Sequence, residues 1–477
     1  MKSVNRRRFI ATLSAASAAA AVSGHMPAYG ETAEINSLPA DSDTRKEEGT
    51  LRIATFDVDA TPPAGSQLTY GQMLHSWDLG LRARGIVLSG AGKPVVLCAI
   101  DWIGIANESQ DVFKDALAAA AGTTPDRVAV HTLHQHDAPI CDFSAEKVMR
   151  ELGVEPHCFE SYFARTFLDR LAKAVRESIG RMQPVTHIGT GKAPVYQVAS
   201  NRRIVKDGQV GEMRSTACRN PALRAEPEGL VDPDVTLLGF WNGQAPVAVL
   251  TFYATHPQSY YLTGIANPDF PGVARFYRQL ALPDALHVHF TGAGGNIGAG
   301  KYNDGSHENR LMLAQRLADG MERAWNERVM LPVGAPDMDW NTVPVSLPVS
   351  ETYIREVEKR FKSPDGPYFY ANNVSQVVWA KRQSAGKRID IACLRIGKAC
   401  VLFMPGELFV EYQLAAKAMR PDLAVSMAAY GDYGPSYIGT DEAYRQGGYE
   451  IKSSPVTGEA EQTLTDAVRQ LIKGKTF

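Results

Sequence analysis

A short apolar segment that runs into three histidines constrains this chain more than any other feature. Residues 127–139 read RVAVHTLHQHDAP, in which VAV and the nearby prolines are typical of a bounded strand. His131, His134 and His136 follow at its end. Residues two apart in an extended backbone point to the same face, so His134 and His136 can share a metal ion, or one can bind metal while the other transfers a proton. A polar loop of hydrogen-bonded histidines is the alternative interpretation.

The composition predicts a folded protein with a sizeable core. The chain has 477 residues, 44% of them hydrophobic and 21% charged, which leaves room for one large domain or for two or three ordinary ones. Residues 1–30 contain four basic and no acidic residues, so their removal changes the formal charge from −2 to −6. This mildly acidic body gives no reason to expect nucleic acid or an anionic membrane surface as a partner.

The first thirty residues are predicted to be a signal peptide. Residues 5–10, NRRRFI, resemble a twin-arginine export motif, and the alanine-rich segment 11–22 is weakly apolar. Residues 28–30, AYG, fit a small-x-small cleavage site. The apolar segment is too short for a transmembrane anchor. We therefore expect export by the twin-arginine machinery to the periplasm or the medium.

The remaining chain is predicted to form one catalytic domain. Residues 31–48 are polar and are interpreted as a linker, which leaves one continuous domain over 49–477. The six cysteines have neither CxxC nor zinc-finger spacing. Cys393 and Cys400 flank a turn at Gly397 closely enough to be strand neighbours.

Strand and helix signals alternate along this domain. An Asn242-Gly243 pair joins two apolar runs and is the strongest hairpin signal. Ser109 is predicted to cap the first helix. The predicted strands are 51–58, 82–89, 94–101, 127–130, 286–291 and 423–429, the hairpins are 235–240 with 247–253 and 391–396 with 399–404, and the helices are 109–121, 158–179, 306–326, 406–417 and 459–473. This pattern predicts an α/β fold of mixed β-sheets with flanking helices.

Three further strand ends carry metal-binding residue types. Residues 251–257, TFYATHP, end in His256 before a proline, and residues 401–407, VLFMPGE, present Glu407 at an expected helix start. Tyr437 lies in a glycine-rich loop after strand 423–429. Each has a structural alternative: core packing for His256, a helix-dipole interaction for Glu407, and loop packing for Tyr437.

Seven motifs, in order, resemble those of the neutral/alkaline ceramidase family. The resemblance extends over nearly the whole chain, from about residue 50 to about residue 450. Its motifs are 57–63 DVDATPP, 134–139 HQHDAP, 201–203 NRR, 256–257 HP, 269–272 DFPG, 405–407 PGE and 437–440 YIGT.

The resemblance implies a fold, a cofactor and an activity. It implies mixed sheets around a single zinc ion and hydrolysis of the amide bond of N-acylsphingosine, with a lipid or other small molecule as substrate. It implies the zinc ligands His134, His256, Glu407 and Tyr437, with His136 close to the reacting carbonyl and Arg202 lining the site.

The chemistry of these side chains is consistent with that assignment. Two imidazoles, a carboxylate and a phenol offer nitrogen and oxygen donors that suit zinc, and an open position on the ion would lower the pKa of a water to about 7. His136 could stabilise the oxyanion or pass a proton to the leaving amine. Tyr437, as a weak ligand, could also donate to the oxyanion.

The sequence departs from the family pattern in three ways. Asp137 replaces a small hydroxyl residue of the first motif, residues 294–296 read GGN where the family has a Gly-Asp pair, and we expect no C-terminal immunoglobulin-like domain. Two alternatives stay open: a metal-dependent hydrolase of another amide, ester or sugar-derived substrate on the same scaffold, and a non-catalytic binding protein.

Three remaining features are interpreted structurally. The glycine-rich residues 292–300 lack a phosphate-loop pattern and predict a tight turn near the metal. His287 and His289 are expected in the core or behind the ligands. Asp101, at a strand end, is a candidate to orient a ligand histidine.

Overall fold

A computed structural model of the chain describes residues 49–76, 79–90, 92–156, 158–363 and 366–473. The predicted signal peptide over 1–30 and linker over 31–48 lie outside the described residues. Residues from Gly49 onward form one compact unit built on three large β-sheets.

The three sheets combine antiparallel and parallel strand pairs. In spatial order, the first sheet contains Gln183–Pro184, Arg52–Asp59, Arg82–Ser89, Val95–Ile100 and Val128–Thr132. The second contains Leu286–Thr291, Ala245–Tyr253, Asp234–Asn242, His187–Pro194 and Val329–Pro332. The third contains Met338–Val345, Ile389–Ile396, Ala399–Phe403 and Ala424–Ala428. Both predicted hairpins are confirmed, and Gly243 turns the first of them with a φ of +59°.

Helices and short strands complete the described chain. The α-helices are Glu108–Ala121, Phe143–Glu151, Ser161–Ile179, Pro221–Ala225, Asp269–Ala281, His307–Asn326, Glu351–Arg360, Gly366–Ser384, Val410–Met419, Asp441–Gln446, Tyr449–Lys452 and Ala460–Ile472, with 3-10 turns at Pro125–Arg127 and Ala335–Asp337. The short strands are Gln67–Leu68, Gly71–Gln72, His75–Ser76, Gly104–Ile105, Ile140–Cys141, Ser200–Asn201, Arg203–Lys206, Gln209–Met213, Ile265–Ala266, Ile297–Gly298, Glu407–Leu408 and Tyr437–Ile438. None of the described helices is long and apolar enough to cross a membrane.

The core has a central layer between the sheets and outer layers under the helices. One apolar cluster combines side chains from all three sheets, among them Leu97, Leu250 and Val401. Helices then cover the outer faces, because each sheet also has apolar side chains on its second side. The predicted α/β class with mixed sheets and flanking helices is confirmed.

Each sheet contains one parallel strand pair, and these pairs determine where loops gather. Val95–Ile100 runs parallel to Val128–Thr132, Ala245–Tyr253 to Leu286–Thr291, and Ala399–Phe403 to Ala424–Ala428. Parallel strands end at the same edge of a sheet, so the loops that follow them lie side by side. The predicted metal-binding residues all follow strands of these pairs.

Three local predictions differ from the structure. The histidine-bearing strand is Val128–Thr132, because Pro125–Arg127 forms a 3-10 turn. Ser109 does not cap its helix; Asn107 occupies the N-cap position, and the Ser109 hydroxyl accepts the Phe143 N–H at 2.8 Å. Glu407 does not start a helix, since it lies in a short strand before the helix Val410–Met419.

A buried ion pair joins the first sheet to a helix beside the second. Asp101 follows strand Val95–Ile100, and its two carboxylate oxygens accept hydrogen bonds from both terminal nitrogens of Arg275 at 2.7 and 2.6 Å. Both residues are buried. A paired buried carboxylate becomes very unfavourable once its partner is removed.

We therefore predict that Arg275→Met destabilises the protein by about 3–5 kcal/mol, because Asp101 is left as an uncompensated buried charge. Urea unfolding followed by circular dichroism measures the loss. Arg150→Ala is the control, since the Arg150 side chain is 63% exposed in its ion pair with Glu146, and its loss should be too small to resolve. Equal losses in the two variants would contradict this role of the buried pair.

Candidate metal centre

His134, His256 and Glu407 converge at the loops that follow the parallel pairs. The Nε2 atoms of His134 and His256 are 3.2 Å apart, and Glu407 Oε2 is 3.3 Å from the first and 3.2 Å from the second. All three side chains are almost completely buried. Residues from three separate strand ends thus present three donor atoms to one point.

Backbone carbonyls determine which ring nitrogens face that point. His134 Nδ1 lies 2.7 Å from the Ile103 carbonyl oxygen, and His256 Nδ1 lies 2.9 Å from that of Gly294. A carbonyl oxygen only accepts, so we infer that each Nδ1 carries the proton and each Nε2 presents a lone pair. Burial and the Arg202 charge lower the pKa of His256 to about 4, which is consistent with a neutral ring.

This arrangement fits a bound cation. Two lone pairs and a carboxylate oxygen repel one another in a buried site unless a proton or a positive ion lies between them. Glu407 Oε2 has no hydrogen-bond partner among the described residues. Donors at zinc distances of about 2.0–2.1 Å in a tetrahedral site lie about 3.3 Å from one another, and the three measured separations match that spacing.

His136 lies beside this group and has a different environment. Candidate ligand atoms of His134, His136 and His256 all lie within 4.8 Å of one another, so these three histidines could also hold a metal ion. The His136 ring is parallel to that of Tyr70, with centroids 5.6 Å apart, and its Nδ1 is buried without a partner in the described chain. Burial first, and the neighbouring His134 second, hold the pKa of His136 well below its ordinary value.

The sequence predicted an extended backbone for His134 and His136, and this prediction is wrong. The strand ends at Thr132, and His134 has a left-handed φ of +69°, a conformation that costs free energy for a residue other than glycine. The Tyr430 ring stacks on His134 with centroids 4.4 Å apart. Tight packing therefore maintains the strained backbone that aims this ring at His256.

Tyr437 and Arg202 occupy the next part of the site. Arg202 Nη2 donates to the Tyr437 hydroxyl oxygen at 3.2 Å and to the Gly295 carbonyl at 2.7 Å. Burial raises the pKa of Tyr437 well above its ordinary value, although Arg202 opposes the shift. Burial lowers the pKa of Arg202, but the Glu450 carboxylate beside it raises the pKa, so the buried guanidinium remains a cation.

The glycine-rich segment 292–300 makes the close backbone turn that its sequence predicts. A Cβ at Gly295 would overlap the carbonyl oxygen of Glu407, and one at Gly294 would lie 2.8 Å from the Thr255 backbone. The carbonyls of these glycines hold His256 and Arg202. Glycine is required here because the backbone passes directly against two ligand-bearing segments.

Several sequence candidates lie outside the site. Asp101 contacts Arg275 instead of a ligand histidine, which corrects its predicted orienting role. His289 Nδ1 pairs with the Thr251 hydroxyl at 2.9 Å, and His131 Nδ1 with the Ala429 carbonyl at 2.7 Å. His287 is buried next to the Arg84 side chain, whose guanidinium donates to its carbonyl oxygen. These histidines belong to the core.

Asp137 points away from the metal-binding atoms. Its Oδ1 accepts the Leu262 N–H at 3.0 Å, and its Oδ2 accepts the Thr263 hydroxyl proton at 2.6 Å. These bonds hold the loop that places Tyr261 beside His136, at a centroid distance of 5.4 Å. The Asp137 carboxylate therefore fixes a loop at the mouth of the site.

Besides the two histidines, Glu407 contacts Tyr433, which the sequence did not predict. The Tyr433 hydroxyl donates to Glu407 Oε1 at 2.9 Å, which leaves Oε2 directed at the two histidines. Tyr433 lies in the same glycine-rich loop as Tyr437, but nothing in the local sequence identifies which tyrosine contacts the carboxylate. The pairing depends on a register between separate loops, in which Glu407 lies opposite Tyr437.

An open cavity of about 1810 Å³ connects these groups to the surface. Unlike the apolar core, this cavity has a polar aromatic lining to which six tyrosines contribute. They are Tyr70, Tyr260, Tyr261, Tyr433, Tyr437 and Tyr449. A small molecule that enters the cavity can therefore reach the convergent donors, with hydroxyl groups at several positions along its path.

Two solved structures share this architecture. The crystal structure of neutral ceramidase from Pseudomonas aeruginosa matches with a TM-score of 0.62 at 15% sequence identity, over 90% of this chain and 75% of that chain. A structure described as ceramidase complexed with C2 matches with a TM-score of 0.63 at 15% identity, over 89% of this chain and 76% of that one. The chain has the neutral ceramidase fold.

This neutral ceramidase fold confirms, at the level of architecture, the resemblance seen in the seven motifs. No protein-family model matches the chain, and no curated protein sequence matches it. At 15% identity the likeness to neutral ceramidase shows the fold alone.

The geometry predicts different metal contents for single variants. His134→Ala and Glu407→Ala should lose the bound metal, because each removes one of the three convergent donors. His136→Ala should keep most of it, since its ring lies outside the tight group. Elemental analysis of the purified proteins measures the ratio of metal to chain.

His187→Ala is the matched control, because His187 lies on a strand of the second sheet and its Nδ1 pairs with Thr186; it should keep its metal. Loss of metal in His136→Ala as complete as in His134→Ala would make His136 a ligand and overturn the assignment.

Proposed function

We propose that this chain is a zinc-dependent hydrolase that cleaves a C–N amide bond, with N-acylsphingosine-type lipids as its substrate class. The convergence of His134 Nε2, His256 Nε2 and Glu407 Oε2 within 3.3 Å of one another, at the end of an open cavity, carries the proposal. Nitrogen and oxygen donors of this kind suit zinc. The two solved structures named above are described as ceramidases, which supports a lipid amide as the first substrate to test.

The proposed ligands are His134, His256 and Glu407, with Tyr437 as a weak fourth. When bound, zinc would supply Lewis acidity and would lower the pKa of water near the scissile carbonyl. Carbonyl partners on both histidines and the Tyr433 bond to Glu407 hold the donors in place before any ion arrives. Such pre-organisation strengthens metal binding, because fewer side-chain motions are lost when the ion binds.

Tyr437 and Arg202 are proposed to stabilise the developing oxyanion. Arg202 donates to the Tyr437 oxygen, so the phenol proton is left for another acceptor. A substrate carbonyl oxygen in the cavity would take that hydrogen bond, and the bond would strengthen as negative charge develops there. A donor positioned this way typically contributes about 10²–10³-fold to kcat.

His136 is proposed as the proton-transfer group. It lines the cavity, and its Nδ1 has no protein partner in the described chain. The ring can accept a proton from the attacking water and return it to the leaving nitrogen, so that the amine departs neutral. Tyr70 and Tyr261 flank the ring and limit its reorientation.

The proposed cellular location rests on the N-terminal sequence. The twin-arginine motif in residues 5–10 supports export to the periplasm or the medium. Twin-arginine export carries folded proteins, so the enzyme would take up its metal before export.

The test is fatty-acid release from short-chain and long-chain N-acylsphingosines by the purified protein. Release should stop with a chelator and should return when zinc is added, because the chelator removes the ion that activates water. Magnesium serves as the control ion, and it should not restore release, since it prefers octahedral oxygen sites.

Zinc-dependent hydrolysis of other amides or esters, with no release from any N-acylsphingosine, would reject the lipid substrate and favour the alternative hydrolase. Metal binding without hydrolysis in a broad panel of amides and esters would favour a binding protein. Absence of bound metal after reconstitution would contradict the proposal as a whole.

A further inference from the structure

Glu450 is a buried carboxylate that the proposed mechanism does not use. It lies in the short helix Tyr449–Lys452 and is 0% exposed. Its Oε1 accepts the Arg202 Nε–H at 3.2 Å, and its Oε2 lies 3.3 Å from Arg203 Nη1. One carboxylate therefore pairs with two buried arginines, of which Arg202 reaches the site and Arg203 does not.

Arg202 connects this carboxylate to Tyr437. Glu450 Oε1 lies 3.2 Å from both Nε and Nη2 of Arg202, and the same Nη2 donates to the Tyr437 hydroxyl oxygen at 3.2 Å. The Gly295 carbonyl takes a further bond from the same nitrogen. The guanidinium is planar and rigid, so an anchor at Nε determines the direction in which Nη2 donates.

The chain around Glu450 is built to make this contact. Gly447 and Gly448 have φ values of +72° and +106°, and a Cβ at Gly448 would lie 2.7 Å from Arg203 Nη1. The Ser454 hydroxyl, after the same short helix, donates to the Tyr437 backbone carbonyl at 2.6 Å. The segment 447–454 thus holds Tyr437 through its backbone and, by way of Arg202, through its phenol oxygen.

We propose that Glu450 is a positioning residue of the hydrolytic site, which fixes Arg202 so that the Tyr437 hydroxyl directs its O–H at the substrate oxygen. The inference rests on the proposed function of Tyr437 as an oxyanion donor. Within the described chain the Tyr437 hydroxyl donates no hydrogen bond, whereas its oxygen accepts one from Arg202 Nη2. Without Glu450, Arg202 would turn towards other acceptors, and the phenol would lose its fixed orientation.

A double-mutant cycle separates this role from a purely structural one. Tyr437→Phe should lower kcat by about 10²-fold, and Glu450→Gln should lower it by about 10-fold with KM and metal content nearly unchanged. If Glu450 acts through Tyr437, the double variant should be no slower than Tyr437→Phe alone, because coupled residues do not add. Multiplied losses in the double variant would overturn the proposal.

Arg203→Gln is the matched control. It removes the other arginine from the same carboxylate without touching Tyr437, so its effect on kcat should multiply with that of Tyr437→Phe. If Glu450→Gln does not fold, Glu450→Asp replaces it in the cycle, since aspartate keeps the charge but shortens the reach to Arg202. The same coupling is expected for the aspartate variant.

A second cycle does not need catalysis. The urea midpoints of the same variants report whether Glu450 and Tyr437 interact in the folded protein. The midpoint of the double variant should shift by less than the sum of the shifts of the two single variants. Coupled midpoints in a protein that hydrolyses no amide would reject the proposed function but keep the positioning role. Additive midpoints together with multiplied kcat losses would reject the positioning role alone.

Discussion

Three electron-rich atoms in a buried site repel one another, and the surrounding residues must hold them together. His134 Nε2, His256 Nε2 and Glu407 Oε2 lie within 3.3 Å of one another, where water does not screen them. A fold tolerates such an arrangement when a cation compensates it, and tight packing must otherwise hold the groups together. The strained backbone of His134, the close backbone passage at Gly294 and Gly295, and the hydrogen bonds to the donors hold the three atoms together.

The fold supplies that packing through strand ends. Parallel pairs in all three sheets bring their following loops to one region, and each loop contributes a donor or its support. Close backbone passage at Gly294 and Gly295 then brings the His256 and Glu407 segments together. The left-handed backbone of His134 completes the group. The strained and closely packed backbone at these positions costs free energy, and burial of the large core that the sheets share offsets this cost.

Sequence reasoning succeeded where local chemistry determines the outcome. Hairpins such as that at Asn242-Gly243 and strands rich in β-branched residues have local causes, so their positions were predictable. Strand ends followed by histidine, glutamate or tyrosine also drew attention to the residues that now converge. Prediction from the sequence failed where distant segments determine the geometry. The Tyr430 ring packs on His134 and supports its left-handed φ. The Tyr433 hydroxyl orients the Glu407 carboxylate, and Arg275 pairs with Asp101, although these partners are remote in sequence. Glu450 carries no local signal, because its partners lie almost 250 residues away.

X-ray absorption at the zinc edge of the purified protein identifies the atoms that surround the ion. We predict about one zinc ion per chain with nitrogen and oxygen neighbours at about 2.0–2.1 Å and no sulfur neighbour at about 2.3 Å. A shell with two histidine rings, as judged by imidazole scattering, would match His134 and His256. Sulfur ligation, or a zinc ion without histidine neighbours, would contradict the assignment of this site as the metal centre.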